Sequence, residues 1–174
     1  MVRPLSQRLS RLSSRRGWSP VLALLAALSL LFLAGAPALA AMDYAKQSLI
    51  GADFAGADLR GVTFNLTNLR EANFHGADLR GASLFGAKLQ DADMAGADLR
   101  DATLDSAIFE GTNLNNAVLV DAFAFNTKFR SVSIEGADFS NVPLRADALM
   151  ALCAVASGSN PVTGVATRTS LGCS

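Results

Sequence analysis

The stretch that decides the fold runs from residue 56 to residue 100 and reads GADLRGVTFNLTNLREANFHGADLRGASLFGAKLQDADMAGADLR. The segment Gly-Ala-Asp-Leu-Arg begins at Gly56 and returns at Gly76 and at Gly96, twenty residues later each time. Within each interval a large apolar residue recurs at every fifth position. Self-similarity of this density indicates a repeat architecture more strongly than any single motif does.

The five-residue period extends without insertion or deletion over residues 47–146. The central residue is large and apolar in nineteen of the twenty blocks, and the exception is Ala124. Two positions before the centre the chain carries Ala in thirteen blocks and Val or Thr in six. The centres are Leu49, Phe54, Leu59, Phe64, Leu69, Phe74, Leu79, Leu84, Leu89, Met94, Leu99, Leu104, Phe109, Leu114, Leu119, Ala124, Phe129, Ile134, Phe139 and Leu144.

A period of five fits neither an α-helix nor a flat strand. On a helix the apolar positions would spiral around the surface, and on a strand an odd period would send alternate centres to opposite faces. The pattern is satisfied if the chain bends once per block, with glycine common two positions after the centre, where a bend favours it. Because Gly-Ala-Asp-Leu-Arg repeats every twenty residues, four blocks make one square coil. Residues 47–146 then form a β-solenoid of five coils, about 24 Å long at the usual strand spacing.

Residues 1–40 are predicted to be a signal peptide. They contain five arginines and no acid, with an apolar run from Val21 to about Ala34 and small residues up to the predicted cleavage site between Ala40 and Ala41. The alternative is an uncleaved anchor, but the apolar run is shorter than the ~20 residues of a spanning helix. We therefore expect export, with no stable membrane insertion after cleavage. Residues 41–46 are predicted to be a short N-terminal cap.

Residues 147–174 are predicted to form a C-terminal helical cap with a disulfide. The stretch 145–157 is rich in helix formers, and residues 167–171 are predicted to be a second short helix. The only cysteines, Cys153 and Cys173, form an even pair in a chain predicted to be exported, which favours a disulfide between them. The alternatives are a metal site and a catalytic thiol, and both lack further ligands or a base nearby in sequence.

The blocks Ala57-Asp58-Leu59-Arg60-Gly61 and Ala72-Asn73-Phe74-His75-Gly76 match the motif Ala-(Asp/Asn)-Leu-x-x. The chain therefore resembles the pentapeptide-repeat family over a hundred residues. The resemblance implies an all-β solenoid that is a right-handed quadrilateral β-helix. The predicted signal, the coil number and the tail most resemble the exported thylakoid-lumen members of cyanobacteria and chloroplasts, which implies a location in the thylakoid lumen or, alternatively, the periplasm. Most of those members have no assigned biochemical activity.

Charge and side-chain chemistry favour a binding protein over an enzyme. After residue 40 the chain holds ten Lys and Arg against fifteen Asp and Glu, so nucleic acid has no electrostatic reason to bind. Its carboxylates lie at motif positions, and the single histidine, His75, has no second ligand in its column, so we predict no enzyme, cofactor or metal site. The leading prediction is an interaction or scaffold module with an unknown protein partner, as a monomer or weak dimer. The resemblance to pentapeptide-repeat proteins implies an alternative, a DNA mimic that binds a topoisomerase.

The fourth predicted coil, residues 107–126, is unusual because its outward positions are apolar. They are Ile108, Val118, Val120, Phe123 and Phe125, and the small centre Ala124 suggests that the wall bends there. Large apolar patches on soluble proteins are usually covered or bind something. Two interpretations are open: residues 158–174 fold back and bury the patch, or a partner binds it.

Overall fold

A computed structural model describes residues 42–174, and the predicted signal peptide and its cleavage site at Ala40 and Ala41 lie outside the described residues. Parallel bridges join residues that are twenty positions apart. Asp58 pairs with Asp78, Asp78 pairs with Asp98, and the same step links the other walls. Each turn of the chain therefore contains four five-residue walls. We call them the first wall (67–71 and its equivalents), the second (72–76), the third (77–81) and the fourth (82–86).

The centre of each block points inward, as the sequence predicts. Leu79, Leu99 and Leu119 stack in the third wall without exposed surface, and the small residues two positions earlier are also buried. Aromatic centres stack on the equivalent centre of the next coil, with ring centroids 5.0 Å apart for Phe54 and Phe74. The core therefore consists of four parallel stacks of side chains, one stack for each wall.

The corners have a left-handed backbone. Nineteen of the twenty positions found two residues after a centre, from 46 to 141, have φ between 50° and 69°: nine glycines and ten other residues. Glycine adopts this conformation without strain, whereas side chains such as that of Leu66 (φ 58°) are held in it against their preference. The ladder supplies the compensation, since the corner amide donates to the next coil, as Leu66 N–H does to Phe85 O at 2.8 Å.

The Asp or Asn that precedes many centres has a structural task. Its side-chain oxygen accepts the backbone N–H two residues later, as in Asp53 to Ala55 at 3.1 Å and Asn73 to His75 at 3.0 Å. This bond satisfies an amide at the start of the turn, where Asp and Asn are favoured for the same reason. The motif carboxylates are therefore occupied by turn formation.

Residues 42–46 differ from the prediction of a separate cap. Asp43 bridges Thr63, Tyr44 N–H donates to Thr63 O at 2.7 Å, and Lys46 has the left-handed corner conformation. Tyr44 also stacks on Phe64 with centroids 5.2 Å apart. An aromatic centre and the ladder together make this segment a wall of the solenoid, although the small residue of the repeat is missing at its start.

Two short strands pair in parallel in the first wall, β1 at Ile108–Glu110 and β2 at Lys128–Arg130. Helix α1 spans Ala146–Val155, within the predicted stretch 145–157, and lies against β2 with Leu152 buried. Helix α2 spans Thr167–Leu171, as predicted. No helix among residues 42–174 is long and apolar enough to cross a membrane.

The tail after α1 is attached to the solenoid at two places. Asn160 is buried, and its Nδ2 donates to the carbonyls of Asn116 (3.2 Å), Ala117 (3.2 Å) and Gly136 (2.9 Å). Further along, Phe139 N–H donates to Ser170 Oγ at 2.9 Å. A Cβ at Gly158 would lie 3.0 Å from the amide nitrogen of Gly136, so the close approach of these two segments requires glycine. The tail therefore runs along the third wall.

A disulfide joins Cys153 of α1 to Cys173, as the sequence predicts, with an S–S distance of 1.97 Å. Arg168 of α2 adds bonds from its guanidinium to Cys153 O and Ser174 O, each at 3.0 Å. The bond and the arginine together hold α2 and the chain end beside α1.

Candidate interaction surface

The largest apolar side chains left open near the C-terminal end are those of Phe123 and Phe125. Their exposed fractions are 51% and 48%, and both belong to residues 122–126, which we call the aromatic wall. The pleat places them on the same side because the buried centre Ala124 stands between them. Two aromatic rings that remain half exposed mark a candidate binding surface.

The aromatic wall departs from the regular solenoid, as its small centre suggests. Among the corners of residues 42–141, Asn126 alone lacks the left-handed conformation. The repeat predicts a hydrogen bond from Ser106 N–H to Phe125 O, and this bond is absent among the described residues. Asn126 N–H donates instead to Asp105 Oδ1 at 2.9 Å. Farther along, Pro143 has no N–H to continue the ladder above Phe123. The aromatic wall is therefore the last fourth-wall segment with a backbone bond to the coil before it.

The tail divides the predicted five-residue patch. Val118 in the third wall is only 3% exposed, and the tail bonds to Asn116, Ala117 and Phe139 surround its position. At Val118 the structure favours the first of the two interpretations, since the tail packs along the third wall beside it. Ile108 in the first wall and Val120 in the third are half-buried. Of the five, only Phe123 and Phe125 are exposed, each over about half of its surface.

A cationic corner adjoins the aromatic wall, and we define it by Lys128, Arg130 and Arg145. These three side chains line a cavity of about 260 Å³ together with Asn126, Thr127, Phe129, Asp147 and Ala148. Lys128 and Arg130 flank the inward centre Phe129, and Arg145 is the residue before α1. Since Asn126 directly follows Phe125, the aromatic wall and the cavity meet at one edge of the molecule.

The third wall carries a different set of cations, whose charge is neutralised. Arg60, Arg80 and Arg100 each donate two hydrogen bonds to the Asp two residues earlier. For Arg60 these bonds run from Nε to Asp58 Oδ1 at 2.8 Å and from Nη2 to Asp58 Oδ2 at 2.6 Å. Each of the first two also lies near the Asp of the next coil, at 3.6 Å and 3.7 Å. The Arg60 guanidinium lowers the pKa of Asp58 to about 2, and the bond from Arg80 lowers the pKa of Asp78. These ion pairs form a lattice of alternating charge along the third wall, which we call the Asp–Arg lattice.

The single histidine of the chain lies on the outer face of the second wall. His75 is exposed, and its Nδ1 lies 3.9 Å from Asp93 Oδ2, a diagonal neighbour that column-by-column reasoning misses. This single contact between two exposed groups provides no second ligand and no enclosed site. Within residues 42–174, no three His, Cys, Asp or Glu side chains come together as a metal site.

Comparison with known proteins decides the family. The family model described as pentapeptide repeats matches residues 48–84 and 82–121. The crystal structure of a pentapeptide repeat protein from the Arabidopsis thaliana thylakoid lumen is 48% identical, with a TM-score of 0.73, over 74% of this chain and 90% of that one. The chain belongs to the pentapeptide-repeat family. Its solenoid is accordingly a right-handed β-helix.

Two curated relatives of this pentapeptide-repeat protein also carry lumenal names. The thylakoid lumenal 15 kDa protein 1 of Arabidopsis thaliana is 54% identical over 48 residues, which are 28% of this chain and 21% of that protein. The thylakoid lumenal protein TL20.3 of the same plant is 58% identical over 40 residues, 23% and 14% of the two chains. The matched regions thus span about a fifth or less of the curated relatives.

Proposed function

We propose that this pentapeptide-repeat protein is a non-enzymatic interaction module of the thylakoid lumen, and that the aromatic wall is its protein-binding surface. In this proposal the repeats make a square rod of five coils, and α1, α2 and the disulfide close its C-terminal end. The observation that carries the proposal is the path of the tail. It buries Val118 on the third wall and leaves Phe123 and Phe125 half exposed on the fourth.

Aromatic side chains suit this role because they bury large areas and are common among binding hot spots. The backbone that presents them is held firmly at Phe123, which pairs with Thr103, while the corner beyond Phe125 is irregular. The surface thus combines the firmly held ring of Phe123 with the ring of Phe125, which lies next to a less regular turn. The neutralised Asp–Arg lattice on the third wall does not support a DNA mimic, which would need uncompensated negative charge.

The test is a pull-down from an isolated lumen fraction, with Phe123→Ser combined with Phe125→Ser. The double variant should keep the circular-dichroism spectrum and the thermal midpoint of the parent, since both rings lie outside the core. It should recover less of any specific partner.

The matched control is Leu66→Ser with Phe85→Ser, which removes two exposed apolar side chains from the same wall in earlier coils. If the aromatic variant retains its partners as well as the control does, the aromatic wall is not the binding surface.

The proposed location has its own test. Processing at the predicted site gives a protein that begins at Ala41, and the lumenal names of the relatives favour delivery to that compartment. Mass spectrometry of the protein from fractionated thylakoids should show this N-terminus. A protein that still begins at Met1 would refute the assignment. Recovery of the protein only in fractions other than the lumen would refute it as well.

A further inference from the structure

The Lys and Arg side chains of this protein differ in whether a carboxylate lies within bonding distance. Arg60, Arg80 and Arg100 are each paired with a carboxylate through two hydrogen bonds. By contrast, Lys128 and Arg130 have no carboxylate within 4.0 Å among residues 42–174, and both side chains are exposed. Their charge is therefore available to a ligand.

The third member of the cationic corner is only weakly compensated. Arg145 Nε lies 3.4 Å from Asp147 Oδ1, and both side chains are largely exposed, so solvent screens the pair. The cavity lining contains Lys128, Arg130 and Arg145 against the single acid Asp147, which leaves a net charge of +2. This positive site stands on a chain that carries an excess of five acidic residues after residue 40.

We propose that the aromatic wall and the cationic corner together bind a peptide segment of a partner protein in which Asp or Glu stands next to an aromatic or large aliphatic residue. This inference rests on the proposed function and specifies the chemistry of the partner. The apolar side chain packs on Phe123 and Phe125, while the carboxylate enters the cavity beyond Asn126. Phe129 lines that cavity, so the carboxylate is partly shielded from water and its attraction to the cations is strengthened.

The surroundings favour a narrow segment over a broad anionic surface. Glu110 pairs with Arg130 in the ladder, Asp105 accepts the N–H of Asn126, and Asp121 directly precedes the aromatic wall. A flat anionic membrane would meet these carboxylates as well as the cations, and like charges repel. A peptide contacts the cavity and the two rings alone and avoids that repulsion.

The experiment selects random twelve-residue peptides from a displayed library against the oxidised protein and measures the affinity of the enriched sequences by fluorescence anisotropy. We expect enrichment of Asp and Glu beside aromatic or large aliphatic residues, and an affinity that falls as salt is raised. Reversal of two charges, with Lys128→Glu and Arg130→Glu, should weaken these peptides by about tenfold or more.

The chain offers a matched control in the same two columns of the first wall. Arg70 lies three coils before Arg130 and Lys88 two coils before Lys128, and neither has a carboxylate within 4.0 Å among the described residues. The control variant, Arg70→Glu with Lys88→Glu, changes the net charge of the protein by the same amount as Lys128→Glu with Arg130→Glu. Its affinity for the peptides should stay within about twofold of the parent's, because a remote exposed charge is screened.

The outcomes separate this inference from the proposed function. Loss of binding with Phe123→Ser and Phe125→Ser, but not with Lys128→Glu and Arg130→Glu, would keep the aromatic surface and overturn the acidic partner. Enriched peptides without acidic residues would overturn it in the same way. If no peptide is enriched and the protein instead binds vesicles containing anionic lipid, the partner is a membrane. If neither double variant weakens peptide binding, both proposals fail.

Discussion

Replacement of Leu99 by Ala tests the inward register of the whole solenoid. Leu99 is buried between Leu79 and Leu119, and these three side chains have no exposed surface. Removal of three carbons costs about 2.4 kcal/mol in transfer free energy at ~0.8 kcal/mol per carbon. The walls cannot collapse into the cavity, because Leu99 N–H is bonded to Val118 O at 2.7 Å and Leu79 N–H to Asp98 O at 2.8 Å. The cavity term therefore raises the expected loss to about 3–4 kcal/mol.

The measurement is urea unfolding of the oxidised protein, followed by circular dichroism, with the slope m checked for constancy. The control is Ile50→Ala, which shortens a side chain that is 54% exposed and should cost about 0.5–1 kcal/mol. Because repeat proteins can unfold in parts, hydrogen exchange of the Leu79 and Leu119 amides should report the same loss locally. Equal costs for the two variants, or a larger cost at Ile50, would refute the inward assignment of the centres.

Three further predictions concern the tail, the charges and the corners. Reduction of the bond between Cys153 and Cys173, which are twenty residues apart, should lower the free energy of unfolding by about 3 kcal/mol, and thermal melts with and without reductant measure it. Because Arg60 lowers the pKa of Asp58 to about 2, this pair should stabilise the fold fully above pH ~4 and lose its contribution as the pH falls through 2. Carbon NMR titration of the Asp58 carboxyl should give that value, and a midpoint near 4 would contradict the pairing. Leu66→Gly should raise the thermal midpoint, since it relieves a left-handed side chain that costs about 1 kcal/mol, and an unchanged or lower midpoint would argue against the strain.

The regular part of the solenoid is predictable because each block repeats the same physical problem. A large centre such as Leu79, preceded by a small residue such as Ala77, must turn inward to leave water, and both are buried. The short helices were predictable for a related reason. The five-residue period ends at residue 146, so the helix-forming composition of the tail determines its secondary structure. Local pattern and structure agree wherever one interaction dominates.

The tail could not be predicted in the same way, because its course depends on contacts between distant residues. Asn160 reaches carbonyls at 116, 117 and 136, more than twenty residues away, and no spacing in the sequence marks these partners. Val118 consequently reads as an exposed residue in its block and is buried in the molecule. The sequence therefore leaves open whether the tail covers the patch, and these long-range contacts decide the question at Val118.

The separation of the cations into paired and unpaired ones is only partly visible in the sequence. Arg60 and Arg130 each follow an inward centre by one position and have the same place in the repeat. Asp58 stands two residues before Arg60, whereas Lys128 occupies that place before Arg130, so the second arginine loses its partner. The residue pair is visible in the sequence, but the cavity that Arg145 and Asp147 complete with it depends on where the last wall meets α1.

The twenty-residue register couples the direction of a surface to the length of the chain. The Asp–Arg lattice faces outward from the third wall and the aromatic wall is the fourth, so the two surfaces are a quarter turn apart. Removal of residues 107–111 would keep every later centre inward and rotate the aromatic wall, with the tail attached behind it, onto the side of the lattice. Insertion of four blocks into the parent chain would keep the original angle and move the two surfaces about 4.8 Å farther apart. Adding or removing single blocks therefore changes the direction that a binding surface faces in steps of a quarter turn. Adding or removing whole coils changes its position along the solenoid axis.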